Sequence, residues 1–248
     1  MPKLSVITVV YNDVKNIRRT MISVLGQTFT SIEYIVIDGN SNDGTLDVIE
    51  EYRESLGYFV SERDKGIYDA MNKGLKAATG DYVIFMNSGD EFYSKETVQC
   101  VFESAPAADI YYGETEMYDA DWKSLGQRRH HAPESFNWES FKFGMSISHQ
   151  AIYIRRNLTD LYNPEYKYSA DIEWIIKAAK KASSIVNVHM YVAKYLVGGM
   201  SKKKHMESLR ERYRIFNKYY GVIPNLFNHL IIAINLAFYF LRHRRTND

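Results

Sequence analysis

Short apolar runs alternate with amphipathic segments over the first 86 residues of the chain. The apolar runs are rich in β-branched residues, which favour strands, and the segments between them repeat apolar positions at helical spacing. Strands are predicted at residues 5–10, 34–37, 58–61 and 82–86, and helices near residues 16–25, 45–52 and 68–78. Consecutive strand, helix and strand units cross over with right-handed geometry and build a mostly parallel sheet. The pattern therefore predicts an α/β fold.

After about Pro106 the regular alternation ends and the segments become more varied. The pattern predicts tyrosine-rich segments at 110–117, a polar stretch at 119–131, a strand at 151–154, a helix near 171–181 and a strand near 185–197. We interpret this half as mixed structure packed against the first half. The expected fold class is α/β, a mixed sheet flanked by helices. One domain would cover residues 1–201, with halves at 1–105 and 106–201, and a helical C-terminal appendage would cover 202–248.

The appendage begins as a charged helix and continues, past Pro224, as the apolar run 226–241. This run has sixteen residues, including Asn228 and Asn235, whereas a membrane-spanning helix needs about 20 largely apolar residues. Asn228, Asn235 and Arg242 recur every seven positions and so share one helix face. A narrow polar stripe with aromatics and a basic end is typical of a helix at the membrane interface. The alternative is a helix packed on its own domain or on a homodimer partner.

Charge is divided unevenly along the chain. The net charge is +1, but residues 202–248 hold 10 Lys and Arg against 3 Asp and Glu, which gives +7 there and −6 over residues 1–201. Each basic residue near anionic lipid contributes about 1 kcal/mol. A basic run such as 202–204 also occurs in nucleic-acid-binding proteins. Its place before a lipid-suited segment favours a membrane surface, and we expect no nucleic acid.

Composition and cysteine content indicate the class of protein and its cellular compartment. The chain has 248 residues, 46% hydrophobic and 25% charged, which is typical of a globular protein. Cys100 is the single cysteine, which excludes an intramolecular disulfide, and no cleavable signal pattern follows Met1. We expect a cytoplasmic protein, peripheral at the inner face of the cytoplasmic membrane.

Three acidic residues are notable for their positions: Asp38, Asp90 and Asp171. Asp38 and Asp90 follow apolar runs, at the place where an open α/β sheet carries ligand-binding groups. A nucleoside diphosphate site needs a carboxylate for the base or ribose, and an oxygen ligand for a divalent cation that neutralises the phosphates. Gly89 lets the backbone turn so that Asp90 can point out of the sheet end. Taken alone, such a turn is more often an ordinary β-turn.

Four motifs in a fixed order change this interpretation. They are residues 5–12 (SVITVVYN), 36–45 (VIDGNSNDGT), 61–74 (SERDKGIYDAMNKG) and 85–90 (FMNSGD). Together they resemble the family-2 glycosyltransferases over residues 4 to about 92, and a weaker resemblance continues at 148–150, 169–174 and 198–201. The resemblance implies a GT-A fold, which is a nucleotide-binding α/β sheet.

The resemblance also implies a donor-binding site, with residues 1–105 as the nucleotide-sugar-binding half. Carried over by position, it assigns Thr8, Val10 and Tyr11 to the nucleotide base and Asp38 to the base or ribose. It assigns Asp64, Lys65, Asp69 and Asn72 to the nucleotide at a helix start, where backbone amides favour anions. Asn87, Ser88, Gly89, His149 and Gln150 would face the donor sugar or diphosphate, and Gly199 and Ser201 would close over it. From the residues alone, His149 is equally an ordinary hydrogen-bonded side chain, and the glycines equally a plain turn.

The family's metal-binding Asp-x-Asp pattern is incomplete in this chain. Asp90 corresponds to its last acid, whereas Asn87 stands in place of the first acid. The resemblance therefore implies Mg²⁺ or Mn²⁺ held mainly by Asp90 and by the donor's own phosphates.

Asp171 matches the family's general base, at the start of a helix in the acceptor half, residues 106–201. Inversion at an anomeric carbon proceeds by a single displacement, so a carboxylate must remove the proton of the acceptor hydroxyl. Such a base typically contributes about 10²- to 10⁴-fold to the rate. The alternative for Asp171 is a helix N-cap.

The resemblance implies an inverting, metal-dependent glycosyltransferase that moves one hexosyl or related sugar from a nucleotide-sugar donor. The acceptor would be a hydroxyl of a lipid-linked glycan, in the biosynthesis of a surface polysaccharide. The processive synthases of the family carry a Gln-x-x-Arg-Trp motif, which does not occur in this chain. The alternatives are a sugar nucleotidyltransferase, whose Gly-rich loop after the first strand is missing, and a membrane-docked scaffold that binds nucleotide sugar without turnover.

Overall fold

The computed structural model describes residues 1–128, 131–144, 147–198 and 204–244. The strands are β1 (Leu4–Val10), β2 (Ile32–Asp38), β3 (Tyr58–Ser61), β4 (Tyr82–Phe85), β5 (Glu91–Phe92), β6 (Ile110–Tyr118), β7 (Ser124–Gln127), β8 (Ile152–Arg155) and β9 (Ile185–Leu196). The α-helices are α1 (Ile17–Leu25), α2 (Thr45–Glu50), α3 (Ile67–Ala77), α4 (Thr97–Glu103), α5 (Ala170–Lys181), α6 (His205–Tyr220) and α7 (Val222–Arg244). Short 3₁₀ helices cover Arg53–Ser55, Trp138–Phe143, His149–Ala151 and Arg156–Leu158.

All the strands belong to one mixed sheet. Its order is β3-β2-β1-β4-β8-β6-β9-β5, and β7 pairs with β6 outside this path. The first four strands in that order are parallel, as the alternating pattern predicts. Strand β8 is antiparallel to both β4 and β6, whereas β9 is parallel to β6. The expectation of a mixed α/β fold with a less regular second half is confirmed.

The sheet is covered on both faces. One buried cluster joins the sheet to α3 and α5, and the other joins it to α1, α2 and α4. Every residue of β1 is buried, which explains why its sequence is mostly apolar and does not alternate between apolar and polar positions. Helix α3 lies close to β1 because Gly74 has no side chain, and an added Cβ would lie 2.4 Å from the Ile7 side chain.

Helix α6 packs against the loop that leads into α5. The Glu211 carboxylate accepts hydrogen bonds from the backbone N–H groups of Lys167 and Tyr168, both at 2.8 Å. The hydroxyls of Ser169 and Ser208 lie 2.9 Å apart in the buried interface. Helix α6 therefore fixes the backbone immediately before Asp171.

Helices α6 and α7 pair with each other through polar groups. Asn225 of α7 is fully buried and donates to the Tyr213 carbonyl and to the Asn217 side chain. Seven apolar side chains of α7 face outward instead, each more than 40% exposed: Val222, Ile223, Leu226, Phe227, Leu230, Ile231 and Ile234. Within the described part of the chain, none of the helices has the length and apolar character needed to span a bilayer. Of the predicted polar stripe, Asn228 is partly buried, and the side chains of Asn235 and Arg242 lie outside the described ones.

Three elements have no counterpart in the sequence-based expectation. Strand β7 lies inside the stretch 119–131, which the pattern describes only as polar. Helix α4 and the two-residue strand β5 follow the turn at Asp90. Each is short, and β7 is largely exposed, so neither an apolar period nor a buried run reveals them.

Candidate active site

Strands β1, β2 and β4 end at the same edge of the sheet, and two adjoining clefts lie beyond their carboxyl ends. The first, the Tyr11 cleft, has a volume of about 740 Å³. Its wall includes Val10, Tyr11, Gly39, Asp64 and Ile67. The second, the Asp171 cleft, has a volume of about 290 Å³. Its wall includes Ile67, Tyr68, Asn87, Asp90, Arg128, His149, Asp171 and Arg212. The two clefts meet at Ile67.

The Tyr11 cleft is open and partly aromatic. Tyr11 is 66% exposed and lies against Gly39, where an added Cβ would stand 2.9 Å from Asp64 Oδ2 and 3.2 Å from the Tyr11 ring. Asp64 also bonds Lys73 Nζ. Burial raises the pKa of the Asp64 carboxyl above its ordinary value, although Lys73 acts in the opposite direction. An open slot with an aromatic face and one carboxylate suits a nucleoside.

Three of the predicted nucleotide contacts are turned into the protein instead. Thr8 is fully buried and donates to the Met86 carbonyl at 2.6 Å. Asn72 exchanges two hydrogen bonds with the backbone of Tyr162, at 2.7 and 3.0 Å. Asp38 is also fully buried, and its carboxylate receives hydrogen bonds from Ser41 and Ser61. These three side chains support the residues around the clefts and do not line either cleft.

Lys65 and Asp69 lie at the start of α3, beside the Tyr11 cleft. The Lys65 backbone N–H donates to Asp69 Oδ2 at 3.0 Å, and the Lys65 side chain is exposed. Gly66 precedes the helix with φ +128°, a conformation that favours glycine. The following eleven-residue helix presents its N-terminal amides near the junction of the two clefts, a position that favours an anion.

The turn after β4 is held by hydrogen bonds to the loop after β1 and to helix α1. Ser88 Oγ donates to Asp13 Oδ2 at 2.7 Å, and the Gly89 N–H donates to Thr20 Oγ1 at 3.0 Å. Gly89 has φ +95°, so the predicted role of this glycine in turning the chain agrees with its backbone. Asn87 and Ser88 border the Asp171 cleft.

Asp90 lines the Asp171 cleft, but both of its carboxylate oxygens already accept hydrogen bonds from the protein. It is 4% exposed, with Oδ2 accepting from Gln150 Nε2 at 2.7 Å and Oδ1 accepting from the Leu196 N–H at 3.2 Å. Burial raises the pKa of Asp90 to about 7, although the hydrogen bond from Gln150 and the His149 ring act in the opposite direction.

This arrangement does not fit a divalent cation held by the protein. Among the described residues, no group of three or more His, Cys, Asp or Glu side chains is arranged to hold a metal ion. Asn87 supplies one buried amide oxygen, Oδ1, that has no described partner, but Mg²⁺ prefers near-octahedral oxygen ligands with carboxylate charge. We therefore derive no step of the reaction through a cation.

Asp171 is positioned as an ionised carboxylate facing the cleft. It is the second residue of α5, where the helix dipole favours negative charge. Tyr68 donates its hydroxyl to Oδ1 at 3.2 Å, and His149 Nδ1 lies 3.6 Å from Oδ2. Burial acts to raise the pKa of Asp171, but His149, with Arg212 and Tyr68, lowers it below its ordinary value. The other His149 nitrogen, Nε2, lies 3.0 Å from the Asn87 amide nitrogen, which fixes the ring.

The structure thus brings some of the predicted residues together and separates others. Asp90 and Asp171 share one cleft, with Asn87, Ser88, His149 and Gln150. Val10, Tyr11 and Asp64 share the other. Asp38 joins neither wall, although the sequence groups it with Asp90 and Asp171. Gly199 and Ser201, the predicted lid residues, lie outside the described residues.

Three cleft residues were missed from the sequence: Tyr68, Arg128 and Arg212. Tyr68 falls inside the third motif, which could have directed attention to it. Arg128 lies in an unpatterned polar stretch, and Arg212 lies among other charged residues of a helix. A run of charges is ordinarily a solvated helix face, so the sequence carries no signal that separates Arg212 from Arg210 or Arg214.

Comparison with known proteins agrees with this geometry. Residues 5–162 match the family described as "Glycosyl transferase family 2". The "PGL/p-HBAD biosynthesis glycosyltransferase" of Mycobacterium bovis (strain BCG / Pasteur 1173P2) is 30% identical over 212 residues, covering 81% of this chain and 79% of that protein.

Two solved structures show the same fold. S. aureus TarS 1-349 in complex with UDP-GlcNAc superposes with a TM-score of 0.62 at 22% identity, covering 87% of this chain and 66% of that one. The mannosyltransferase PcManGT from Pyrobaculum calidifontis, in complex with GDP-Man and Mn²⁺, gives 0.60 at 17% identity, covering 88% and 64%. The chain therefore spans slightly less than two thirds of either solved chain. The sheet and its flanking helices form a GT-A fold.

Proposed function

Because the chain belongs to glycosyl transferase family 2, we propose that it moves a single sugar, with inversion, from a nucleotide-sugar donor to an acceptor hydroxyl. The observation that carries the proposal is the pairing of an open nucleoside-sized cleft with an adjoining cleft whose wall holds an ionised carboxylate, Asp171. Solved relatives of this fold are complexes with UDP-GlcNAc and with GDP-Man. A nucleoside diphosphate sugar is therefore the proposed donor class.

The proposed reaction is one displacement at the anomeric carbon. The acceptor oxygen bonds to that carbon, the bond from carbon to the donor's diphosphate oxygen breaks, and its electron pair leaves with the diphosphate. Asp171 accepts the proton of the acceptor hydroxyl. A general base must be unprotonated to act, and the lowered pKa of Asp171 meets that requirement at neutral pH. Tyr68 and His149 hold the carboxylate in place.

The proposed donor lies across both clefts. Its nucleoside occupies the Tyr11 cleft, between the Tyr11 ring and Asp64, and its diphosphate passes Ile67 into the Asp171 cleft. The N-terminus of α3 lies along that path and favours phosphate. Asn87 Oδ1, which has no described partner, is available to accept a hydrogen bond from a sugar hydroxyl.

Metal dependence is a separate question within the proposal. PcManGT is a complex with Mn²⁺, and the sequence predicts Mg²⁺ or Mn²⁺ at Asp90. The hydrogen bonds that Asp90 already accepts give that role little support. Asp90→Asn tests it directly. A variant that keeps the wild-type response of turnover to added Mn²⁺ would remove Asp90 from consideration as the metal ligand.

We also propose that the acceptor is a lipid-linked glycan, in surface polysaccharide biosynthesis, and that the protein binds peripherally at the cytoplasmic face of the membrane. Support comes from α7, whose outward face carries a continuous apolar stripe from Val222 to Ile234. Exposed basic residues of the neighbouring helix, including Arg210 and Arg214, add attraction to anionic lipid. An apolar helix face with basic neighbours is typical of interfacial helices.

Vesicle sedimentation tests the membrane proposal. We expect binding to phosphatidylglycerol vesicles and not to phosphatidylcholine vesicles, and loss of that binding in an Ile223→Ser, Phe227→Ser and Leu230→Ser variant. Leu125→Ser, at an exposed apolar position on β7, is the control and should bind normally. Self-association of the wild-type protein, abolished in the triple variant and without vesicle binding, would make this face a homodimer contact instead.

The main experiment is sugar transfer with a panel of nucleoside diphosphate sugars, comparing wild-type protein with Asp171→Asn. We expect the wild-type protein to consume one donor with net inversion, and the variant to lose about 10²- to 10⁴-fold in turnover. Donor affinity and thermal stability should change little, because Asn has nearly the same shape. Turnover at the wild-type rate in a folded variant would exclude Asp171 as the base. Donor binding without any transfer would favour a non-catalytic scaffold.

A further inference from the structure

Arg128 and Arg212 enter the Asp171 cleft from two distant parts of the chain. Arg128 follows β7, and Arg212 lies on α6, yet both side chains form part of the same cleft wall. Both are partly buried. We refer to these two side chains as the arginine pair.

Neither member of the arginine pair forms an ion pair with a described residue. Among those that line the cleft, the one salt-bridge contact joins His149 Nδ1 to Asp171 Oδ2 at 3.6 Å, and it includes neither guanidinium. Arg212 Nε is buried and has no described hydrogen-bond partner. Burial lowers the pKa of the Arg128 guanidinium and the charge of Arg212 acts in the same direction, although Tyr195, Asp171 and Glu114 act in the opposite one. Two like charges held together in a partly dry cleft are costly unless an anion joins them.

The charge of Asp171 acts on both arginines, but neither carboxylate of the cleft forms an ion pair with a guanidinium. Asp171 has His149 and Tyr68 as its contacts. Asp90 accepts hydrogen bonds from Gln150 and Leu196. The remaining candidate is a ligand that carries more than one negative charge. Guanidinium groups match such a ligand well, because their planar N–H groups pair with two phosphate oxygens at once.

We propose that the arginine pair binds the diphosphate of the donor and stabilises it as the leaving group, in place of a protein-held divalent cation. This inference rests on the proposed function. When the bond between the anomeric carbon and the diphosphate oxygen breaks, its electron pair passes to the diphosphate, whose added charge the two guanidinium groups offset. The arginines stay protonated throughout, and the acceptor proton goes to Asp171.

The position of the arginine pair favours the donor's diphosphate over a phosphate of the acceptor. The diphosphate must run from the Tyr11 cleft past Ile67 into the Asp171 cleft, whose volume of about 290 Å³ leaves space for a sugar and its phosphates. Asn87 stands where the family pattern has an acid, and Asp90 is buried against Gln150. Lys167 also lines the cleft but is exposed, so the partly buried positive charge that faces this path comes from the arginines.

Calorimetric binding in the presence of EDTA tests the proposal. The probes are UDP and GDP, each compared with UMP and GMP, so that the difference reports on the second phosphate. We expect the wild-type protein to bind one diphosphate more tightly than its monophosphate without any metal. Arg128→Ala and Arg212→Ala should each weaken diphosphate binding by at least about tenfold and leave monophosphate binding nearly unchanged.

Two further variants control for charge and folding. Arg210→Ala removes an exposed arginine from the same helix and should bind like the wild-type protein. Arg128→Lys and Arg212→Lys keep the charge without the planar fork, so they should recover part of the lost affinity. Thermal unfolding of each variant shows whether a loss of binding reflects a loss of folded protein.

Several outcomes would overturn the proposal. One is diphosphate binding that requires Mg²⁺ or Mn²⁺ and does not change in the arginine variants. Another is unchanged diphosphate binding with impaired transfer, which would assign the pair to an acceptor phosphate. Asp171→Asn separates this inference from the proposed function, since that variant should bind the diphosphate normally while transfer fails. A protein that binds no nucleoside diphosphate would contradict both.

Discussion

The Tyr11 cleft and the Asp171 cleft adjoin at Ile67, but acidic side chains are held differently around them. Beside the Tyr11 cleft, Asp38 is enclosed by the hydroxyls and amide of its own loop and of the next strand. In the Asp171 cleft, Asp171 faces open space and is contacted by the rings of His149 and Tyr68. The Asp38 carboxylate holds its loop and the next strand in place, whereas the Asp171 carboxylate is held in place by neighbouring side chains.

This difference shows that the donors around a carboxylate indicate its role better than its place at a strand end. A carboxylate saturated by backbone and serine donors has little capacity left for a ligand. A carboxylate that is held by side chains and keeps one side open can exchange a proton with a substrate. By this criterion Asp90 resembles Asp38 more than it resembles Asp171, because donors lie within 3.2 Å of both Asp90 oxygens, whereas His149 is 3.6 Å from Asp171 Oδ2.

Replacing Asp38 by Ala is expected to give the largest effect on stability. Its carboxylate accepts from the Ser41 N–H at 2.9 Å and from the hydroxyls of Ser41 and Ser61. Each stranded buried donor costs about 1–3 kcal/mol, so the free energy of unfolding should fall by about 3 kcal/mol or more. Urea denaturation followed by circular dichroism measures this change.

Asp171→Asn provides the matched comparison for Asp38→Ala. Its unfolding free energy should stay within about 1 kcal/mol of the wild-type value, because only the Tyr68 and His149 contacts are affected. If Asp38→Ala keeps its stability and instead loses nucleotide affinity, Asp38 is a ligand-binding residue, as the family resemblance implies.

The sequence predicts the parallel half of the fold closely, and the physical reason is periodicity. The predicted helix near 68–78 becomes α3 (Ile67–Ala77), and the predicted strand 82–86 becomes β4 (Tyr82–Phe85). Buried strands and amphipathic helices have distinct periods, so their type is visible in one sequence. The period does not reveal whether a carboxylate at a strand end is free to bind a ligand or is hydrogen-bonded within the protein. Asp38 and Asp90 both follow apolar runs, yet their surroundings depend on Ser61 and Gln150, which are distant in sequence.

The cationic side of the Asp171 cleft was not predictable from the sequence. Arg128 and Arg212 are 84 positions apart and meet only because α6 folds back onto the loop before α5. Docking of α6 depends on Glu211 and Ser208, polar residues that form no recognisable pattern. Residue pairs of this kind are set by tertiary contacts, whereas Asp171 could be assigned because its motif is local.

His149→Phe tests whether His149 lowers the pKa of Asp171. In the wild-type protein the pKa of Asp171 is lowered, so the carboxylate stays ionised and does not limit turnover near neutral pH. Without the imidazole, burial acts with less opposition and raises that pKa, so the acid limb of the activity profile should move to higher pH. On the acid side of the limb, kcat/KM should fall about tenfold each time the pKa rises by 1.

A profile of kcat/KM against pH measures this displacement of the acid limb. His149→Gln should give a smaller displacement, because Gln keeps a hydrogen-bond donor that Phe lacks. An unchanged acid limb in both variants would mean that His149 positions another group, such as Asn87, and does not act on Asp171.

The Tyr11 cleft can be narrowed by Gly39→Ala. The added Cβ would stand 2.9 Å from Asp64 Oδ2 and 3.2 Å from the Tyr11 ring, so both side chains must move. We expect nucleotide affinity to fall by about fivefold, which corresponds to about 1 kcal/mol. Gly57→Ala is the control, since its Cβ would meet Glu33 and not the cleft. Equal losses of affinity in both variants would point to general destabilisation.

Tyr68→Phe is the smallest change to the site, the removal of one hydroxyl, and therefore sharpens the comparison most. The substitution removes one hydrogen bond, 3.2 Å long, to Asp171 Oδ1 and leaves the ring stacked on Tyr162. A single such bond contributes about 0.5–1.5 kcal/mol, so turnover should fall by about three- to tenfold. Tyr162→Phe is the matched control, because the buried Tyr162 hydroxyl has no described partner and its removal should leave turnover unchanged. Single-turnover kinetics measure both variants. If the two lose activity equally, the Tyr68 hydroxyl acts through packing of the tyrosine pair and not through the carboxylate of Asp171.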